Sequence, residues 1–237
     1  MTPPSDPPAG TAGDPAGEVE VEAPEPARSA LLAPLESAAA PPATRKRPRP
    51  GERRVQILET LATMLQEPGA DRITTAALAG RLEVSEAALY RHFASKAQMF
   101  EGLIEFIEQS VFTLVNQVVE RETSPDAQVH RILLVLLQFG DKNPGMTRVM
   151  VGDALVFENE RLQTRMNQFF ERIESQLRQS LRNRGEAAGA ATPTVDANAQ
   201  ASALTSFAIG RLQRFARSGF RKSPTEHLDV ALRLFAG

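Results

Sequence analysis

The chain has 237 residues, of which 42% are hydrophobic, enough to build the core of one large or two small domains. It contains no cysteine, which excludes disulfides, thiolate metal ligands and cysteine nucleophiles. The formal net charge of −2 conceals an asymmetry, because residues 1–44 carry seven acids and one base, whereas the remainder carries 26 bases and 22 acids. A mildly basic folded part suits a polyanionic partner.

The sequence contains no run of 18 or more apolar residues, so it predicts no membrane span. Its first residues lack the basic and apolar regions of a secretory signal peptide. We therefore expect a cytoplasmic protein.

Residues 1–50 hold 12 of the 17 prolines and few large aliphatic side chains. Such a segment cannot bury enough apolar surface to offset its ordering entropy, so we predict a disordered acidic tail. A transient helical turn around Leu31, Leu32 and Leu35 is the alternative.

The tail leads into six basic residues between positions 45 and 54, opposed only by Glu52. Such a run is usually a solvated face. Because it directly precedes the motif at residues 73–93 described below, we expect its last members, Arg53 and Arg54, to contact phosphates.

From Gly51 onward the pattern is helical throughout, with no alternating strand pattern, which predicts an all-α fold. Pro68 and Gly69 are expected to end the first helix, and Gly185 a later one. Residues 186–195 are interpreted as a linker. The predicted helices cover Glu52–Gln66, Lys96–Arg121 and, approximately, 125–140, 144–152, 158–184, 196–218 and 224–235.

Three helix starts fall within about twenty residues. Thr74, Ser85 and Ser95 are each suited to the N-cap position, and Gln98 would complete a capping box with Ser95. Only three residues, 82–84, separate the first two short helices. This spacing predicts a helix-turn-helix, whose second helix enters the DNA major groove.

The second short helix presents side chains suited to DNA. Small residues near its start let the backbone approach base edges, and a hydroxyl, a guanidinium, an imidazole and an ammonium that follow suit phosphate oxygens. A half-buried ring is the alternative for the only tyrosine, and a structural role for the histidine. Besides Arg53 and Arg54, the predicted DNA contacts are Thr74, Thr75, Ser85, Glu86, Ala87, Ala88, Tyr90, Arg91, His92 and Lys96, whereas Leu78, Leu82, Val84, Leu89 and Phe93 are predicted to be core.

Residues 74–79 and 84–96 resemble the DNA-binding domain of the TetR family, most specifically in Leu-Tyr-x-His-Phe followed by Ser-Lys. Three further segments, 103–108, 139–145 and 169–179, are similar to the nucleoid occlusion factors of that family. The resemblance extends from about residue 53 to residue 235.

This resemblance implies a TetR-like fold, with a disordered tail (1–50), a helix-turn-helix domain (51–95) and a helical dimerisation and partner-binding domain (96–237). It implies a nucleoid-associated homodimer on palindromic sites in double-stranded DNA, and leaves the number of dimers per site open. It also implies that the DNA-bound protein antagonises the tubulin-like division protein FtsZ and blocks septum formation over the nucleoid.

The resemblance places the FtsZ groove between the fourth and fifth helices, with Phe106, Lys142 and Asn143 as its residues. Two positions depart from the family pattern. Leu114 stands where the family can carry arginine, and Glu83 stands in the turn where glycine is common. A non-glycine residue in left-handed geometry costs about 1–2 kcal/mol.

The alternative function is a TetR-type transcriptional repressor controlled by a small-molecule ligand, which needs the same helix-turn-helix. An enzyme is not expected, because His92, His130 and His227 are scattered and no metal, phosphate-loop or nucleophile motif is present. We predict no cofactor. The last two long helices are the candidates for dimerisation.

Overall fold

The computed structural model describes residues 51–67 and 72–236. Over these ranges the chain forms α-helices and one 3₁₀ turn, Asp153–Leu155, with no strand. None of the helices in these ranges is long and apolar enough to cross a membrane. The helices are α1 (Glu52–Gln66), α2 (Thr75–Arg81), α3 (Glu86–Tyr90), α4 (Lys96–Arg121), α5 (Pro125–Lys142), α6 (Pro144–Met150), α7 (Glu160–Ala187), α8 (Pro193–Arg217) and α9 (Leu228–Ala236).

The all-α prediction is confirmed, and α1 and α4 begin and end at the predicted residues. The start of α5 is also as expected, because the Ser124 hydroxyl accepts a hydrogen bond from the Ala127 amide at 3.4 Å. The tail 1–50 and the predicted helix stop at Pro68 and Gly69 lie outside the described residues.

Three predicted boundaries are wrong. Helix α7 does not stop before Gly185 but continues to Ala187, and the left-handed glycine that follows it is Gly189 (φ 68°). Helix α8 already begins at Pro193, so the linker is shorter than 186–195. The last helix begins at Leu228, because the backbone is still in a turn at His227 (φ 56°).

Two glycines interpreted as helix ends instead allow close packing. A Cβ placed on Gly185 would lie 3.0 Å from the Cβ of Pro193, so its absence lets α8 start close to the end of α7. A Cβ on Gly140 would lie 2.4 Å from Cδ2 of Leu212, and α5 accordingly continues through Gly140 to Lys142.

Helix α4 is buried on more than one side. Its fully buried residues include Met99, Phe100, Leu103, Ile104 and Ile107. Burial of each such side chain contributes about 1.5–3 kcal/mol to the hydrophobic driving force. Helix α4 thus packs against α1–α3 on one side and against the bundle of α5, α7 and α8 on the other.

The small N-terminal helices are held to the bundle by α6. A Cβ on Gly145 would lie 2.1 Å from the carbonyl oxygen of Ala62, so only glycine allows α6 to pack this closely on α1. Buried Thr147 donates a hydrogen bond from Oγ1 to the Gly140 carbonyl at 2.8 Å and thereby joins α6 to α5. The chain therefore fixes the position of α1 relative to the bundle.

Candidate nucleic-acid interface

Helices α2 and α3 form the predicted helix-turn-helix. The Thr74 hydroxyl caps α2 by accepting a hydrogen bond from the Ala77 amide at 3.1 Å. Ser85 occupies the N-cap position of α3, but its side chain makes no capping bond, contrary to the sequence prediction. Instead, the Thr75 hydroxyl donates to the Glu86 carboxylate at 2.6 Å, so the two helices are joined through side chains at their starts.

The turn between these helices holds Glu83 in the left-handed region, with φ 54°. The Glu83 amide donates to the Gly80 carbonyl at 3.1 Å, and the Val84 amide to the Ala79 carbonyl at 3.0 Å. The turn thus keeps the geometry expected of a glycine at this position and bears a cost of about 1–2 kcal/mol.

The inner and outer faces of the motif divide as the sequence predicted. Leu78, Leu82, Leu89 and Phe93 are buried, and Val84 packs against the same core. Of the residues with a predicted DNA contact, Arg53, Thr75, Ala88 and Lys96 are partly buried, and the exposed ones are Arg54, Thr74, Ser85, Glu86, Ala87, Tyr90, Arg91 and His92.

Tyr90 is 46% exposed and therefore is not an inward-facing ring. It stands with Arg91 and His92 on consecutive exposed positions at the end of α3. The three side chains offer a hydroxyl, a guanidinium and an imidazole to solvent. This arrangement can accept a phosphate backbone without rearrangement of the core.

Arg54 of α1 is brought to the same place. Its guanidinium lies 4.1 Å from the centroid of the Phe93 ring and donates to the His92 carbonyl. A guanidinium has five N–H donors, so these contacts leave others for a ligand. The neighbouring Arg53 is partly buried and donates to the Gln56 side chain at 2.7 Å.

Lys96 is placed differently from the other predicted contacts. Its ammonium forms an ion pair with Glu158, just before α7, and lies 5.6 Å from the centroid of the Phe100 ring. The Ser95 hydroxyl caps α4 as predicted, because it accepts from the Gln98 amide at 3.2 Å. The Gln98 side chain accepts from the Ala94 amide at 2.8 Å and not from the Ser95 amide, so the predicted capping box is only half formed. The partner of Lys96 was not foreseen from the sequence, in which the two residues lie 62 positions apart.

Two of the three predicted groove residues, Phe106 and Asn143, contact Phe139. The half-buried ring of Phe106 on α4 lies 6.2 Å from the ring of Phe139 on α5, measured between centroids. Asn143 is only 8% exposed and donates from its amide to the Phe139 carbonyl at 2.8 Å. Lys142 is exposed. Sequence reasoning had not assigned a role to Phe139, which supports both Phe106 and Asn143.

The other side of α4 is tied to α7 by ion pairs. Arg165 binds Glu108 through two hydrogen bonds, of 3.1 Å from Nε and 2.5 Å from Nη2. The hydrogen bond to Glu108 raises the pKa of Arg165 above its ordinary value. Arg161 pairs with Glu101 at 2.7 Å. These pairs fix α4 along the bundle.

Across the described ranges, no group of three or more histidine, aspartate and glutamate side chains is arranged to hold a metal ion. His130 pairs with Asp229 of α9 at 2.7 Å, and His227 lies next to Glu226.

The chain matches two family models. Residues 57–103 match the model of bacterial regulatory proteins of the tetR family. Residues 125–237 match the SlmA-like model of the tetracyclin repressor-like C-terminal domain.

Curated relatives match most of the chain. The nucleoid occlusion factor SlmA of Aliivibrio fischeri (strain MJ11) is 52% identical over 183 residues, which are 77% of this chain and 93% of the relative. The protein of the same name from Salmonella paratyphi B is 50% identical over 185 residues, 78% of this chain and 93% of the relative.

Solved structures show the same fold at low identity. The fatty acid degradation regulator FadR from Bacillus halodurans is 14% identical, with a TM-score of 0.64 over 81% of this chain and 97% of that one. The ketosteroid regulator KstR2 of Mycobacterium tuberculosis is 18% identical, with a TM-score of 0.61 over 79% of this chain and 95% of that one. At these identities the likeness concerns the fold alone.

Proposed function

Since this chain belongs to the SlmA family of nucleoid occlusion factors, TetR-type regulators that bind DNA, we propose that it binds palindromic chromosomal sites as a homodimer and, when bound, antagonises FtsZ assembly. This activity would place the protein on the nucleoid. The relatives favour it over a ligand-controlled repressor.

One structural observation carries the proposal: α4 is a single unbroken helix that begins directly after the helix-turn-helix and carries Phe106, whose ring packs near that of Phe139. Phe106 lies ten residues after Lys96, or about 15 Å along the helix axis. A helix of this kind can transmit a small shift at its start to the groove. The observation therefore supports DNA contact as the input and the groove as the output.

These positions assign DNA binding and partner binding to different parts of the chain. Residues 51–95 form the DNA-reading unit, and residues 96–237 form the unit that dimerises and binds the partner. The DNA contacts are Arg53, Arg54, Thr74, Thr75, Ser85, Glu86, Ala87, Ala88, Tyr90, Arg91 and His92, joined by Lys96 if DNA draws it away from Glu158.

In the groove, Phe106 and Lys142 face the partner. Asn143 is buried and bonded to Phe139, which supports a role in shaping the floor of the groove. Leu114 is half-buried on α4 and offers no charge to an acidic peptide.

Dimerisation is assigned to α7 and α8. The exposed face of α8 carries Ala203, Ser206 and Gly210, and these small side chains permit a second helix to approach closely. Two copies joined in this way would present two α3 helices about 34 Å apart, one turn of DNA.

The proposal is tested by sedimentation of FtsZ polymers with the full-length protein, with and without a DNA site selected from random sequence by the protein itself. We expect fewer polymers in the pellet when protein and site are both present. No effect of the protein on FtsZ under either condition would contradict the proposal. Release of the site by a small metabolite, with FtsZ unaffected, would favour a ligand-controlled repressor.

A further inference from the structure

A concave basic surface lies at the C-terminal end of α8. The depression has a volume of about 480 Å³, and four cationic residues, Arg214, Arg217, Arg221 and Lys222, line it. We call these four residues the α8 basic patch. It lies outside the helix-turn-helix and the groove near Phe106. Gly210 also lines the depression, so the patch continues the α8 face that we assign to dimerisation towards the end of the helix.

None of these four cations forms an ion pair with an acidic side chain of the described residues. Within the part of the chain that the structure describes, Arg214, Arg217 and Lys222 have no side-chain partner, and Arg221 uses its Nε only to donate to the Ser218 carbonyl at 2.8 Å. The dipole of α8 places about −0.5 elementary charge at this end. That partial charge cannot account for four cations, so most of the positive charge is not offset within the protomer.

The turn that carries Arg221 and Lys222 is held in shape. The Ser218 hydroxyl accepts hydrogen bonds from the amides of Arg221 at 3.1 Å and Lys222 at 3.0 Å. Phe220 adopts a left-handed conformation (φ 62°) and packs on Phe215 with ring centroids 5.2 Å apart. The cations are therefore presented in a fixed arrangement rather than on a loose loop.

Arg211 stabilises this turn through hydrogen bonds to the backbone that follows it. It donates to the Pro224 carbonyl from Nε at 2.9 Å and to the Glu226 carbonyl. Burial, with a smaller contribution from neighbouring Arg214, lowers the pKa of Arg211 below its ordinary value.

The patch lies at the same end of the bundle as the helix-turn-helix. Helix α8 runs antiparallel to α7, because Gly185 near the end of α7 meets Pro193 at the start of α8. The start of α7 is joined to the start of α4 through Glu158 and Lys96. The C-terminal end of α8 therefore lies at the same position along the bundle axis as the DNA-reading unit.

From this position and charge we propose that the α8 basic patch binds the phosphate backbone of the same DNA that the helix-turn-helix reads, as a sequence-independent second contact. The inference rests on the proposed function. Phosphate contacts outside the reading helix fix the orientation of the protein on the duplex without adding base specificity.

An acidic polypeptide is the competing ligand, and residues 1–44 of this chain, with a net charge of −6, would provide one. The position of the patch favours DNA, since the duplex held by α3 comes to that end of the molecule. The two ligands have opposite consequences for DNA affinity. Loss of the patch weakens DNA binding if it holds phosphate, and strengthens binding if it holds an acidic segment that competes with DNA.

The test compares full-length wild type with Arg217→Ala/Arg221→Ala on the selected DNA site between 50 and 200 mM salt. Each lost phosphate contact should flatten the slope of log affinity against log salt by about 0.9. The double variant removes two contacts from each protomer and four from the dimer, so the advantage of the wild type would shrink on the order of 10²-fold across that range. Arg217→Lys/Arg221→Lys keeps the charge and should retain most of the slope.

Arg233→Ala is the matched control, because Arg233 is an exposed arginine on α9 away from the patch. It should bind DNA as the wild type does. Thermal unfolding and sedimentation velocity of each variant check the fold and the oligomeric state.

An unchanged slope, or tighter binding by the double alanine variant, would overturn the inference. A change in oligomeric state would also overturn it, since the patch would then be a contact between copies. In each of these cases wild-type DNA binding and FtsZ antagonism are unaffected, so the proposed function stands. Failure of the wild type to bind any selected site would refute the proposed function itself.

Discussion

The guanidinium of Arg54 lies 4.1 Å from the centroid of the Phe93 ring and, through its hydrogen bond to the His92 carbonyl, joins α1 to the end of α3. Phe93 is buried, so the contact links a core residue to the exposed surface that carries Tyr90 and Arg91. One arginine thus serves both the stability of the helix-turn-helix and its positive charge.

Arg54→Ala should lower the free energy of unfolding by about 1–2 kcal/mol, since it removes a cation–π contact and a charged hydrogen bond. Urea denaturation measures the loss. Arg54→Lys restores the charge but not the planar stack, and we expect it to recover only part of the stability. Equal stability of all three proteins would show that the Phe93 contact contributes nothing.

The exposed cluster of Tyr90, Arg91 and His92 predicts strong salt dependence of DNA binding. If the protein neutralises roughly 6–10 phosphates, affinity should fall about 10³–10⁵-fold between 50 and 200 mM salt. Arg91→Ala should flatten the slope of log affinity against log salt by about 1.8, which is about 0.9 for each protomer of the dimer. Fluorescence anisotropy with labelled DNA measures both quantities, and a flat response of the wild type would contradict the phosphate roles.

Phe106→Ala should spare DNA binding and weaken FtsZ antagonism, because the ring lines the groove with Phe139 and lies outside the helix-turn-helix. Phe207→Ala is the matched control, since Phe207 is another half-buried phenylalanine, packed on Phe235 with centroids 5.5 Å apart. DNA affinity and FtsZ sedimentation are measured on the same preparations. If Phe106→Ala reduces both activities equally, the ring is a structural residue only.

Gly145→Ala should destabilise the protein by about 1–3 kcal/mol, because the added Cβ meets the backbone of α1 at Ala62 and the two helices must separate. Gly80→Ala, in contrast, should stabilise the protein. Its Cβ would meet nothing within 4 Å, and alanine is favoured over glycine within a helix by about 0.5–1 kcal/mol. Thermal unfolding of both variants gives the sign of each change. A neutral Gly145→Ala would show that α6 can shift away from α1 without cost.

Burial raises the pKa of Glu59 above its ordinary value, so ionisation of this carboxyl disfavours the folded state. The penalty is absent below the pKa of the unfolded state and grows as the pH rises through the folded pKa. Glu59→Gln should therefore stabilise the protein at neutral pH, and the gain should vanish below pH 4.5, the ordinary value. Denaturation at several pH values measures the difference, and a gain independent of pH would contradict this origin.

The local features of this chain follow from the sequence alone. Thr74, Ser95 and Ser124 cap their helices as predicted, because each hydroxyl accepts a hydrogen bond from the amide three residues on, whereas Ser85 makes no such bond. The buried positions of α2, α3 and α4 follow from helical periodicity in the same way. The helix-turn-helix and most of its exposed residues could accordingly be predicted.

The features that depend on contacts between residues far apart in the chain were decided by the tertiary structure. Gly140 and Gly185 resemble helix ends in sequence, but Leu212 and Pro193 pack where their Cβ atoms would be, and the helices continue. Lys96 has a suitable charge for a phosphate, yet Glu158 provides its partner. A glycine or a lysine has several possible uses, and only the neighbours that the fold brings to it determine which one is realised.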